Sequence, residues 1–123
     1  MRLRKGLIQM RITHNDEKVL YMGRTDITDS ETRLYFAGSQ AIIKIRGTKL
    51  SAEINNTCNC YGNFLGAVID GEMREIALDA ADNGKDITVT VAENLDDGEH
   101  TVIIYKRYAA AQMLFIKAFE TDG

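Results

Sequence analysis

The 123-residue sequence predicts an all-β sandwich of antiparallel sheets. Three observations carry the prediction. Apolar residues recur with a period of two, not three and a half. Turn signals punctuate the chain at short intervals, and the segments between them are of strand length. Strands are expected near 7–13, 18–23, 32–36, 40–47, 49–56, 63–70, 72–78, 86–92, 99–108 and 112–120.

The first two strands are separated by the turn-like "HNDE" at 14–17. In "AIIKIRG", Ala41, Ile43 and Ile45 fall on one face, and Lys44 and Arg46 on the other. In "KLSAEIN", Leu50, Ala52 and Ile54 alternate with Ser51, Glu53 and Asn55, and "RGTK" (46–49) joins the two strands tightly. "IDGEM" (69–73) carries a D-G hairpin signal, because aspartate and glycine accept positive φ. "DNGKD" precedes the alternation of Ile87, Val89 and Val91 with Thr88 and Thr90. "LDDGEH" (95–100) contains another D-G, so Asp96, Asp97 and Gly98 are expected to turn into the next strand. Val102 and Ile104 should then face the core, with His100 beside the sheet's edge and Tyr105 on the opposite face. The alanines of "YAAAQMLFIKAF" permit helix, but the apolar run from Met113 to Phe119 reads as a last strand after a loop at 108–111. Such strands have one face in the core and one in water.

Hydrophobic residues make up 45% of the chain and charged residues 27%, a globular mix sufficient for a single domain. With 15 Lys and Arg against 18 Asp and Glu, the net charge of −3 excludes the overall basic field of a nucleic-acid binder. The basic cluster Arg2, Arg4 and Lys5 reads as a solvated start. No apolar run approaches the roughly 20 residues a membrane helix needs. The opening residues lack a long apolar stretch and a cleavage site, so they do not read as a signal peptide. Cytoplasmic location is expected if Met1 is native, and secretion if a leader has been removed. Cys58 and Cys60 are spaced awkwardly for a mutual disulfide and one residue short of C-x-x-C. Two reduced thiols is one reading. The other is half of a metal site, but zinc wants four ligands, and His14 and His100 are far off in sequence.

The chain offers no evident catalytic set. Ser30, Ser39 and Ser51 lie in no nucleophile elbow, and the glycines are scattered singly at turns rather than forming a phosphate loop. The carboxylates mostly sit beside turn signals, where Asp caps its own backbone. No cofactor is called for. For a binding role, Tyr61 with Asn63 in the polar stretch after "NNTCNC", and Arg107 with Tyr108 at a strand end, are the candidate ligand contacts. An exposed ring can stack on a pyranose while a polar group fixes its hydroxyls. Equally, these tyrosines can cap core edges with the hydroxyl in water.

The ordered series "YMGRTDITDSETRLYFAGSQAIIKIRGTKLSAEI", "VIDGEMREIAL" and "LDDGEHTVIIYKRYAAAQMLFIKAFE" resembles the N-terminal jelly-roll domain of carbohydrate esterase family 2. Gly23, Arg24, Gly38, Ser39, Gly47, Thr48 and Leu50 fit the pattern in order. The resemblance spans about residues 18–120. It implies a jelly-roll β-sandwich that is followed, in the family, by an SGNH-type hydrolase domain removing acetyl groups from xylan and related plant cell-wall polysaccharides. The catalytic residues would belong to that domain, so none is carried over here. This chain would be an accessory domain that supports or positions the hydrolase and contacts glycan; the alternative is a structural or protein-interaction sandwich without a carbohydrate ligand. Tyr35-Phe36-Ala37 stands where the family often has tryptophan, and Tyr108 with Ala109, Ala110 and Ala111 follows the basic pair. The three alanines form a candidate flat surface for docking the hydrolase domain.

"DDGEHTVIIYKR" (96–107) packs three acids and a histidine into five positions. It can be read as an acid–base site or as a strand entrance whose His100 donates a hydrogen bond to a neighbouring loop. The strand entrance is the simpler reading.

Overall fold

A computed structural model describes residues 10–23, 25–34, 39–58, 64–105 and 112–122. Among these residues eleven strands follow in order. They are β1 (Met10–Thr13), β2 (Val19–Met22), β3 (Thr25–Ile27), β4 (Thr32–Leu34), β5 (Gln40–Gly47) and β6 (Leu50–Cys58). Then come β7 (Phe64–Ile69), β8 (Glu72–Ala77), β9 (Asp86–Ala92), β10 (Gly98–Tyr105) and β11 (Gln112–Thr121). A short 3-10 turn, Ala80–Asp82, lies between β8 and β9.

The strands form two antiparallel sheets packed as a jelly-roll sandwich. One sheet runs β3-β4-β11-β6-β9, with β1 beside the far end of β11; the other runs β2-β5-β10-β7-β8. The strongest period-two segments lie in and beside the sheet centres, where alternation buries every second side chain. Ala41, Ile43 and Ile45 of β5, Leu50, Ala52 and Ile54 of β6, and Val102 and Ile104 of β10 all line the core. Leu65, Ala67, Leu114, Ile116 and Phe119 complete it from β7 and β11. Phe119 and Leu34 are among the largest side chains fully enclosed.

Turn chemistry closes the strands as their residues dictate. Asp70 and Gly71 take φ of 51° and 87°, the left-handed pair that a two-residue hairpin requires. At "HNDE" the amide of Asp16 donates to Thr13 O, and the Asp16 carboxylate accepts from the Lys18 amide. Beyond β11, Asp122 accepts from the amides of Thr48 and Lys49 and from the Thr48 hydroxyl, tying that end of the chain to the β5–β6 hairpin.

Two expectations need correction. Gly98 does not turn: it is already in β10, opposite Gly47, and the left-handed residue of that loop is Asn94, at φ 58°. The strand β3 was not anticipated, because "TDI" has only one apolar residue and that residue, Ile27, is exposed. The expected strand ends at 7–9, 35–36 and 106–108, and the loop at 108–111, lie outside the described residues.

Candidate functional site

The two histidines were the first candidates for chemistry, and the sheets place each in a closed hydrogen-bond arrangement. His100 stands on the inner face of β10, beyond the end of its pairing with β7, beside the tip of the β7–β8 hairpin. Its Nδ1 lies 2.6 Å from Asp70 Oδ2 and its Nε2 2.6 Å from the Asp96 carbonyl oxygen. The Asp96 carbonyl and an ionised Asp70 carboxylate both accept, so both ring nitrogens donate at once when the ring is protonated. The Asp70 carboxylate, and after it the Asp96 carbonyl, raise the His100 pKa above its ordinary value. Reciprocally, the bonds from His100 and from the Thr101 amide hold the Asp70 carboxyl below the usual range.

An Asp–His pair is also what a hydrolase uses to activate a hydroxyl. In that chemistry the distal nitrogen must be free to take a proton. Here that nitrogen is occupied by a loop carbonyl. The arrangement is a clasp between the β7–β8 turn and the loop before β10, and the reading of His100 as a hydrogen-bond donor to a neighbouring loop is the one the geometry supports.

His14 is buried between the sheets. Its Nδ1 is 3.0 Å from the Thr32 hydroxyl and its Nε2 3.3 Å from Asp29 O. Tyr21 of β2 donates to the His14 carbonyl at 2.7 Å, and burial pushes its phenol up to about 12. These contacts join β2 of one sheet to the β1–β2 turn and β4 of the other, with no group left facing a substrate. Among the described residues no group of three or more His, Cys, Asp or Glu could hold a metal, and no helix is long and apolar enough to cross a membrane.

A more open surface lies on the outer face of the β2-β5-β10-β7-β8 sheet. Register places Leu20 opposite Ile42, Ile42 opposite Ile103, Ile103 opposite Val68, and Val68 opposite Met73. One apolar row therefore crosses all five strands. Four interstrand steps of about 4.8 Å make it roughly 19 Å long. Its centre is half-buried by neighbours, but its ends are open: Leu20 is 59% and Met73 72% exposed. The adjoining row reads Met22, Gln40, Tyr105, Gly66 and Glu75. A Cβ at Gly66 would collide with the Tyr105 ring, so the ring lies on the sheet over the glycine. Tyr105, Met73, Arg74 and Glu75 line a shallow hollow of about 130 Å³ there. Tyr105 thus occupies the outer face as its strand phase predicts. Toward the other end of the sheet the face becomes charged, with Lys44 and Arg46 of β5 opposite Thr101 and Glu99 of β10.

Tyr61, Asn63, Arg107, Tyr108, Ala109, Ala110 and Ala111 lie outside the described residues, as do Cys60 and the side chain of Cys58. The apolar row was missed in the sequence because each member sits in the solvent phase of its own strand.

The family described as "Carbohydrate esterase 2 N-terminal" matches residues 21–123. Among solved structures, a family two carbohydrate esterase from Cellvibrio japonicus is similar with a TM-score of 0.77 and 22% identity, over 93% of this chain and 33% of that one. A family two carbohydrate esterase from Clostridium thermocellum, in complex with cellohexaose, gives 0.70 and 25% identity over 82% and 30%. The CBM36-1 domain of a multidomain xylanase from the hindgut metagenome of Trinervitermes trinervoides gives 0.68 and 13% identity over 92% and 95%. The chain thus spans about a third of the esterases and nearly all of the xylanase module. Comparison with the curated proteins gives no match.

Proposed function

We propose, because this chain belongs to the carbohydrate esterase 2 N-terminal family, that it is the accessory domain of a polysaccharide acetyl esterase and docks its hydrolase domain through the outer face of the β2-β5-β10-β7-β8 sheet. The carrying observation is the apolar row from Leu20 to Met73. Exposed rows of this length are uncommon on a domain that works alone and mark an interaction surface. The esterases to which this fold is similar devote about two-thirds of their chains to something beyond it. A hydrolase domain in cis supplies the partner, and the row supplies a place for it.

The catalytic work falls to that second domain. In this chain both described histidines spend their ring nitrogens on structural partners. The expected role is to hold the hydrolase in position and to form one wall beside its cleft.

The test uses the two-domain protein. Calorimetry of the native form should show one coupled unfolding transition. Leu20→Asp with Met73→Asp should split it into two, with the accessory transition unmoved. An unchanged single transition would overturn docking through this face. A parent reading frame without a G-D-S-like block after residue 123 would favour the alternative, a sandwich that serves some other protein partner.

A further inference from the structure

A second surface is built differently. β2 covers β5 only from Gln40 to Ile43, so among the described residues Lys44–Gly47 have a strand neighbour, β10, on one side alone. Across the gap stands β1, which pairs with β11 through one edge. Between them opens a cleft of about 260 Å³, lined by Met10, Ile12, Lys18, Lys44, Ile45, Arg46 and Thr121. Ile12, Ile45 and Thr121 are buried and form its floor, with the Met10 side chain beside them.

Among the described residues three cations and no carboxylate line this cleft, on a chain whose net charge is −3. Of the other described cations, Arg11 pairs with Glu53, Arg33 with Glu31, Arg74 with Glu72, and Lys117 with Glu31 and Asp86, whereas Lys49 and Lys85 stand singly on exposed turns. Lys18, Lys44 and Arg46 form no ion pair with a described residue. Glu99 stands across from Arg46 on β10, but it does not line the cleft, where the three cations gather at the rim of an apolar floor.

We propose that this cleft binds a carboxylate-bearing sugar unit. The ring's C–H face rests on Met10, Ile12 and Ile45, and the carboxylate meets Lys18, Lys44 and Arg46. The volume falls below the roughly 300–1,000 Å³ of sites for drug-sized ligands, so it suits a single ring. An acyl chain would find only three apolar partners there. Arg46 offers a planar fork for a carboxylate, and the lysines add point charges. That the ligand is a sugar rests on the family reading above; the anion and the apolar face rest on the cleft itself. The unit can arrive as a free sugar acid or as a branch on a polysaccharide.

Calorimetric titration of the 123-residue chain separates these. The probes are a xylo-oligosaccharide carrying one glucuronic acid, the same oligosaccharide unsubstituted, and free glucuronate. The acid-bearing oligosaccharide should bind and the neutral one should not, and added salt should weaken binding. Binding of free glucuronate at similar strength would locate recognition in the acid unit alone. Lys44→Gln or Arg46→Gln should each lower affinity about tenfold, the loss of one charge-assisted hydrogen bond. Lys85→Gln, on an exposed turn away from the cleft, should leave affinity unchanged. Equal binding of neutral and acidic probes, binding of neither acid, or competition by sulfate at similar strength would overturn the assignment. The docking variants at Leu20 and Met73 do not touch the cleft, so either idea can fail without the other.

Discussion

His100 gives the chain a pH dependence of known sign. Its pKa is raised in the folded state, so its contribution is complete below the ordinary value of about 6.5 and is lost as pH rises through the raised value. Asp70, held low, contributes above about 3.9 and is lost as pH falls through its lowered value. The clasp is therefore complete between about pH 4 and 6.5. Urea midpoints of the native protein and His100→Asn should differ most in that window and converge above it; a constant difference to pH 9 would refute the charged clasp. Asp122 acts in the same way at one site. Partial burial pushes its carboxyl up, but bonds from the Thr48 hydroxyl and the Thr48 and Lys49 amides outweigh that and hold it low. Asp122→Ala should cost about 1–3 kcal/mol in urea unfolding, since two amides lose their acceptor.

The elements that announced themselves were those with one wet face. β5, β6 and β10 alternate strictly, and their inward residues are the core. β3 gave no such signal, because its three residues pair with β4 at the edge and bury little. The D-G at 97–98 misled because a glycine can begin a strand as well as turn one, and Asn94 had already taken the left-handed conformation. The apolar row was illegible for a deeper reason. It exists only once five registers are fixed, and register is a property of pairs of strands, not of any one. The Asp70–His100 contact was hidden likewise by 30 residues of chain. At this scale Gly66 is the sensitive position. Gly66→Val should push the Tyr105 ring off the sheet and cost about 1–3 kcal/mol. Adding Tyr105→Ala should recover part of the loss, measurable as a coupling in denaturant midpoints; additive losses would refute the contact.

Across the whole molecule, stability rests on one apolar layer between two sheets. Phe119, fully enclosed in it, should cost about 3–5 kcal/mol when cut to Ala, read from urea unfolding. The outer face of the β2-β5-β10-β7-β8 sheet and the cleft beside β5 then divide the labour proposed here, an apolar row for a protein domain and a basic rim for a sugar acid. The strand β11 sets a further condition. It pairs with β6 along one side and with β4 and β1 along the other. Its nine-residue partner β6 and the edge strands all precede it by tens of residues. A nascent chain emerging from the ribosome must hold all ten earlier strands without the one that unites a whole sheet. That sheet can close only when residues 112–121 arrive, and a chain cut before them should remain an open, protease-sensitive half-sandwich.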